Sequence, residues 1–134
     1  MPDAIKIPNS LRIWFFVHFL VDYAFAVPIF LSPYQTLTFL GWQTVDPISA
    51  RLFAAALFGI GGVSFISIHS EAAVYKNFLI LKIIFSFFAI IGFLFTILTA
   101  SVPGLSWAVL AIFAVFCLVW IYYYLTIFKN TQID

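Results

Sequence analysis

Charge is what this sequence has least of. Six Lys and Arg with five Asp and Glu make up 8% of the 134 residues, whereas a soluble domain carries about a quarter. A formal charge of +1 with no basic stripe excludes a nucleic-acid partner. The single cysteine, Cys117, excludes an internal disulfide framework and a two-cysteine redox site within one chain. It is most simply a small apolar residue. Paired carboxylates at a membrane face, a run of metal ligands and a nucleophile with an evident base are all missing, so no motif names a reaction. There is no internal repeat and no low-complexity linker.

What is present in excess is apolar surface: 65% of residues are hydrophobic and 18 are Phe, more than a soluble fold of this size can cover. Four apolar runs reach the roughly twenty residues that a helix needs to cross a bilayer: Ser10 to Leu31, Pro47 to His69, Val74 to Thr99 and Gly104 to Phe128. Lys6, Arg12 and Ala24-Phe25-Ala26 give the first run some likeness to a secretory signal. Asp22 inside it and its continuation through Leu31 indicate a retained helix instead. The expectation is an all-α, polytopic membrane protein in one domain, 1–134: a four-helix antiparallel transmembrane bundle.

The connectors carry boundary chemistry. Asp46-Pro47 pairs an N-cap acceptor with proline at the first helical position. His69-Ser70-Glu71-Ala72 and Ser101-Val102-Pro103-Gly104 are short enough to force antiparallel hairpins. The longer stretch from Ser32 to Asp46 holds Tyr34, Leu37, Phe39, Leu40 and Trp42, which predicts a short helix in the membrane interface. With four spans, Lys6, Arg12, Lys76 and Lys129 share one side and Arg51 stands on the other, so the positive-inside rule places both termini in the cytoplasm. Trp14, Tyr75, Trp120 and Tyr122 to Tyr124 are expected in the belt on that side, and Tyr34, Trp42 and Trp107 in the opposite one.

His18 and Asp22, four residues apart, lie on one face of the first helix. Ionisable groups are costly in hydrocarbon, so this face must turn to the bundle interior or a wet cavity. Lys82 reaches a similar depth from the same side, and Arg51, entering from the opposite side, can reach toward Asp22 or out to the interface. His18, Asp22, Arg51 and Lys82 are therefore the candidate binding or proton-relay residues. Plainer roles compete: a structural ion pair fixing helix register, a Lys82 that snorkels to the headgroups, and a hydrogen-bonded interior His18. The stripe Arg51, Ala55, Gly59, Gly62, Ile66 and His69 offers a small-residue packing surface on the second span, and Lys82, Ser86, Ala89 and Thr96 form one on the third. No metal site is expected, because His69 sits at a helix end away from His18.

Pro28 in the first helix, Gly41-Trp42, Asp46-Pro47 and Arg51-Leu52-Phe53 leading into Gly59 and Gly61-Gly62 give the first two spans a pattern that resembles small four-helix bacterial membrane proteins of the DoxX-like kind. Some of these accompany quinone-linked oxidoreductase complexes, so the resemblance implies an accessory subunit in a bacterial cytoplasmic membrane and carries over no catalytic residue. In size, and in having one carboxylate within the first helix, the chain is also similar to small multidrug transporters. Its one-sided Lys and Arg distribution departs from the dual topology of some of those proteins.

Three functional readings follow. The first is a non-enzymatic accessory or ligand-binding subunit, without a resident cofactor, that lodges in membrane lipid and receives a quinone-like or lipid-like small molecule. The second is a proton-coupled transporter using Asp22, and the third a membrane enzyme on an apolar or quinone-like substrate. A homo-oligomer or a membrane partner protein is compatible with each.

Overall fold

In a computed structural model, residues 5–129 are described and are almost wholly helical, with no strand among them. The helices are α1 (Asn9–Leu31), α2 (Pro33–Phe39), α3 (Pro47–Ile66), α4 (Ala72–Thr99) and α5 (Leu105–Tyr124). A 3-10 turn, Ser67–His69, extends α3, and a π turn, Leu125–Lys129, extends α5. Four of these segments are long and apolar enough to cross a membrane: Asn9–Leu31, Pro47–His69, Ala72–Thr99 and Leu105–Phe128. They coincide with the expected spans to within two residues, and α2 lies where the interfacial helix was expected. The chain ends whose cytoplasmic placement was expected lie outside the described residues.

The helix ends explain the antiparallel pairing of α1 with α3. Arg12, at the start of α1, donates to the Ile68 carbonyl at the end of α3, and Arg51 Nε, at the start of α3, donates to the Phe30 carbonyl of α1 at 3.1 Å. Each guanidinium meets a helix C-terminus, where unpaired carbonyls and the helix dipole favour a cation. Tyr75 of α4 adds a second donor to the Ile68 carbonyl at 2.8 Å. One turn of α3 thus ties three helices together.

At the other end, the Thr36 hydroxyl of α2 donates to the Pro28 carbonyl at 2.9 Å, holding α2 against the end of α1. Asp46 caps α3, accepting from the Ile48 and Ser49 amides at 3.1 Å each and from the Ser49 hydroxyl. Gly41 has φ +100°, and a Cβ there would come within 3.2 Å of the Pro103 side chain. Glycine is needed twice at that position, for the left-handed backbone and for the contact joining the α2 loop to the α4–α5 turn.

Laterally, α1 packs along α3 and α4 along α5, and the two pairs meet through large side chains. Two apolar cores result. One is aromatic, with Leu11, Phe15, Tyr75, Leu79, Phe116 and Trp120 at its centre. The other, of Ala26, Ile29, Ala50, Ala54 and Leu57, lies between α1 and α3 nearer α2.

Two expectations about faces are corrected. The inward face of α3 is Ala50, Ala54, Leu57, Gly61 and Ser64, whereas Arg51, Ala55, Gly59, Ile66 and His69 are exposed. The helix is rotated by one residue, about 100°, because Gly61 is the position at which α1 presses against it. Trp120 and Tyr75 do not form a belt: both are fully buried, since their rings fill the gap between the helix pairs.

Candidate functional site

The buried face of α1 is Leu11, Phe15, His18, Asp22, Ala26 and Ile29, so the two ionisable groups fall between the two apolar cores. His18 Nδ1 lies 3.0 Å from Asp22 Oδ2 and 3.1 Å from Lys82 Nζ of α4. Lys82 Nζ also donates to Ser64 Oγ of α3 at 2.5 Å, and the Ser64 hydroxyl donates in turn to the Ile60 carbonyl at 2.7 Å. Three helices therefore meet in one polar chain: Asp22, His18, Lys82, Ser64. Lys82 is 2% exposed and does not snorkel. Its ammonium lies 5.0 Å from the Phe15 ring centroid and 5.1 Å from that of Trp120, and such ring faces attract a desolvated cation.

Aromatic rings lock the imidazole. The Phe116 and Trp120 centroids lie 4.6 and 5.2 Å from it, at interplanar angles of 84° and 74°. Phe116 and Trp120 are themselves stacked at 5.6 Å, and Phe15 closes on Trp120 at 5.6 Å and on Tyr75 at 4.6 Å. These rings plug the bundle on the side where α1 begins. The Trp120 indole N–H is buried within the plug without an acceptor.

Nδ1 has two claimants and only one position for a lone pair or a proton. With the proton on Lys82, the ammonium donates to Nδ1 and to Ser64, and Asp22 Oδ2 faces a nitrogen that has nothing to give it. Oδ2 is buried and lies beside Nδ1. With the proton moved to Nδ1, imidazolium pairs with carboxylate and Lys82 is left as an amine donating to Ser64. Both arrangements hold zero net charge, so neither adds buried charge to the other.

On the side of α2, His18 and Asp22 open onto a cavity of about 270 Å³. Its walls come from α1, α3, α4 and α5, and Leu37, Leu40 and Trp42 form its lid. Among the described residues, His18 and Asp22 are the only ionisable groups in the lining. The carboxylate is fixed from behind by α3: a Cβ on Gly61 would lie 2.7 Å from Asp22 Cβ and 3.0 Å from Oδ2.

Of the four residues expected to act together, His18, Asp22 and Lys82 do meet and Arg51 does not. Arg51 is exposed and donates to the Phe30 carbonyl at the end of α1. The sequence does not signal Ser64 as a partner of Lys82 or Trp120 as a cage, and it marks Gly61 only as part of a glycine-rich run, not as the contact of Asp22. The spacing from Gly61 to Ser64 on one helical face was the available signal. Among the described residues no group of three His, Cys, Asp or Glu could hold a metal. Family models, curated proteins and solved structures give no match to this chain.

Proposed function

We propose that the chain is a non-enzymatic, multi-pass membrane protein that receives an apolar small molecule in the cavity above His18 and Asp22, as an accessory or carrier subunit in a bacterial cytoplasmic membrane. The observation that carries this reading is the form of the interior: an apolar chamber, closed at one end by an aromatic plug, with a buried polar chain at its base. Sites for small ligands have this composition, mostly apolar walls with a few converging polar groups. A quinone-like or lipid-like ligand suits such walls, and the DoxX-like resemblance points to the same accessory role. By the positive-inside rule the plugged end faces the cytoplasm and the lid the opposite side.

A second reading, a proton-coupled transporter with Asp22 as the exchanging carboxylate, draws on the contacts of His18 with both Asp22 and Lys82. The plug argues against it, because the fully buried rings of Phe15 and Trp120 fill the bundle on the side where α1 begins.

The test is to purify the protein in mild detergent, extract bound small molecules and identify them by mass spectrometry, in parallel with Ala50→Trp, which fills the chamber from α3. The reading expects a stoichiometric apolar ligand in the wild type and its loss in the variant. Identical extracts from both proteins would refute it. Thiol labelling of cysteines introduced at Thr44 and Asn77 in sealed cells, on a Cys117→Ser background, tests orientation: only the first should react with an impermeant reagent.

A further inference from the structure

A second concavity, a groove of about 680 Å³, runs along α4 toward the α4–α5 turn. Its lining on α4 extends from Leu81 to Ile97, roughly 24 Å of helix at 1.5 Å per residue. Leu81, Ile84 and Phe88 within it are exposed, so the groove faces the hydrocarbon of the membrane. Chamber and groove are not separate: Trp42, Phe53 and Phe93 line both. At about 270 Å³ the chamber falls just below the usual range of drug-sized sites. It has room for a headgroup and little more.

The base of the chamber adds a chemical constraint. Asp22 is 6% exposed and lines the chamber, where it and His18 interrupt otherwise apolar walls. A carboxylate accepts and does not donate, so a ligand head that meets it must bring a hydrogen-bond donor, and a ligand carboxylate would set two anions face to face in a medium of low dielectric.

Building on the binding role proposed above, we infer that the ligand is a long-tailed apolar molecule with a neutral hydroxyl head, its hydroxyl donating to Asp22 and its tail passing between Trp42, Phe53 and Phe93 into the groove on α4. The shared lining is what commits the groove to this tail: Trp42, Phe53 and Phe93 carry the chamber wall into it, against two residues, Phe25 and Leu40, shared with a smaller concavity beside α2. Entry is lateral, from the membrane, and requires no aqueous path.

The test uses the full-length chain in lipid nanodiscs with photoreactive hexadecanol, its diazirine near the tail end, and the matching hexadecanoic acid. The alcohol should label α4 between Leu81 and Ile97 saturably, with competition by plain hexadecanol, and the acid at least about tenfold less, the factor expected when a buried polar group is left unpaired. Gly92 lines the groove, and a Cβ there meets nothing within 4 Å. Gly92→Leu should therefore fold normally and remove most of the tail label. Gly59→Leu, on the exposed side of α3 where a Cβ likewise meets nothing, should leave it unchanged. Labelling spread over all outward helix faces, equal labelling by acid and alcohol, or equal effects of the two glycine variants would overturn the inference. If the alcohol binds in an Asp22-dependent manner but labels elsewhere, this route fails while the binding role stands. If no saturable labelling occurs and no ligand is extracted, both fail.

Discussion

Gly61→Ala is expected to loosen the site more than any other single-methyl addition to α3. The new Cβ would lie 2.7 Å from Asp22 Cβ, against the 3.4 Å at which ordinary contact begins. The obstructing atom is the stem of a side chain fixed to the α1 backbone, so it cannot swing aside. Instead, α1 and α3 must part by several tenths of an ångström along their packed length. Overpacking of this kind costs about 1–3 kcal/mol, offset by about 1 kcal/mol because alanine is the better helix former. The net expectation is a loss of up to about 2 kcal/mol. Gly59→Ala supplies the control: its Cβ meets nothing within 4 Å, so it should be neutral or gain up to about 1 kcal/mol. Unfolding of both variants in mixed micelles with rising dodecyl sulfate, followed by tryptophan fluorescence, measures the difference. If Gly61→Ala unfolds at the same midpoint as Gly59→Ala, the close approach of α1 and α3 at Asp22 is wrong.

Three further outcomes follow from the same contacts. Lys82→Met strips the buried cation from Asp22 and should cost about 3–5 kcal/mol, whereas Lys82→Met with Asp22→Asn should recover most of that loss; simple additivity in the same unfolding assay would show that the two charges are not coupled. Ser64→Ala removes an acceptor from the ammonium and should cost about 1.5–3 kcal/mol, and an unchanged midpoint would deny the hydrogen bond. At the other end of α3, the Asp46 carboxyl is held below its usual value, chiefly by the Ser49 hydroxyl and then by the Ser49 and Ile48 amides. A depressed folded value means that its contribution is complete above about pH 4, the ordinary aspartate value, and fades as pH falls through the folded value. Asp46→Asn, which still caps the helix, should therefore flatten the acid side of a thermal-stability profile, and parallel profiles would count against the cap.

Much of the architecture was legible because a bilayer imposes strong rules. Runs of about twenty apolar residues, Asp46-Pro47 and the short Pro-Gly turn each have one inexpensive solution, and the helices lie where those signals place them. The depth argument also brought His18, Asp22 and Lys82 together, since three ionisable groups entering from one side must meet in a bundle this narrow. The rotation of α3 was not legible. Two small-residue stripes run along it, one through Ala55 and Gly59 and one through Ala54 and Gly61, and only contact with Asp22 selects the second. Arg51 was ambiguous for a related reason: a long side chain one turn from a helix start reaches whichever acceptor lies nearer, and the Phe30 carbonyl becomes available only once α1 and α3 are paired. Trp120 and Tyr75 carry the same aromatic signature whether they sit in a belt or in a core, and the wide gap between the helix pairs decides between these.

On the proposed reading a ligand sits on Asp22 and Arg51 has no part in holding it. Native mass spectrometry of the wild type, Asp22→Asn and Arg51→Ala, each released from the same detergent, tests this directly. The account predicts one small molecule per chain on the wild type and on Arg51→Ala, and none on an intact, folded Asp22→Asn. Equal occupancy of all three proteins, or loss in Arg51→Ala with retention in Asp22→Asn, would contradict it.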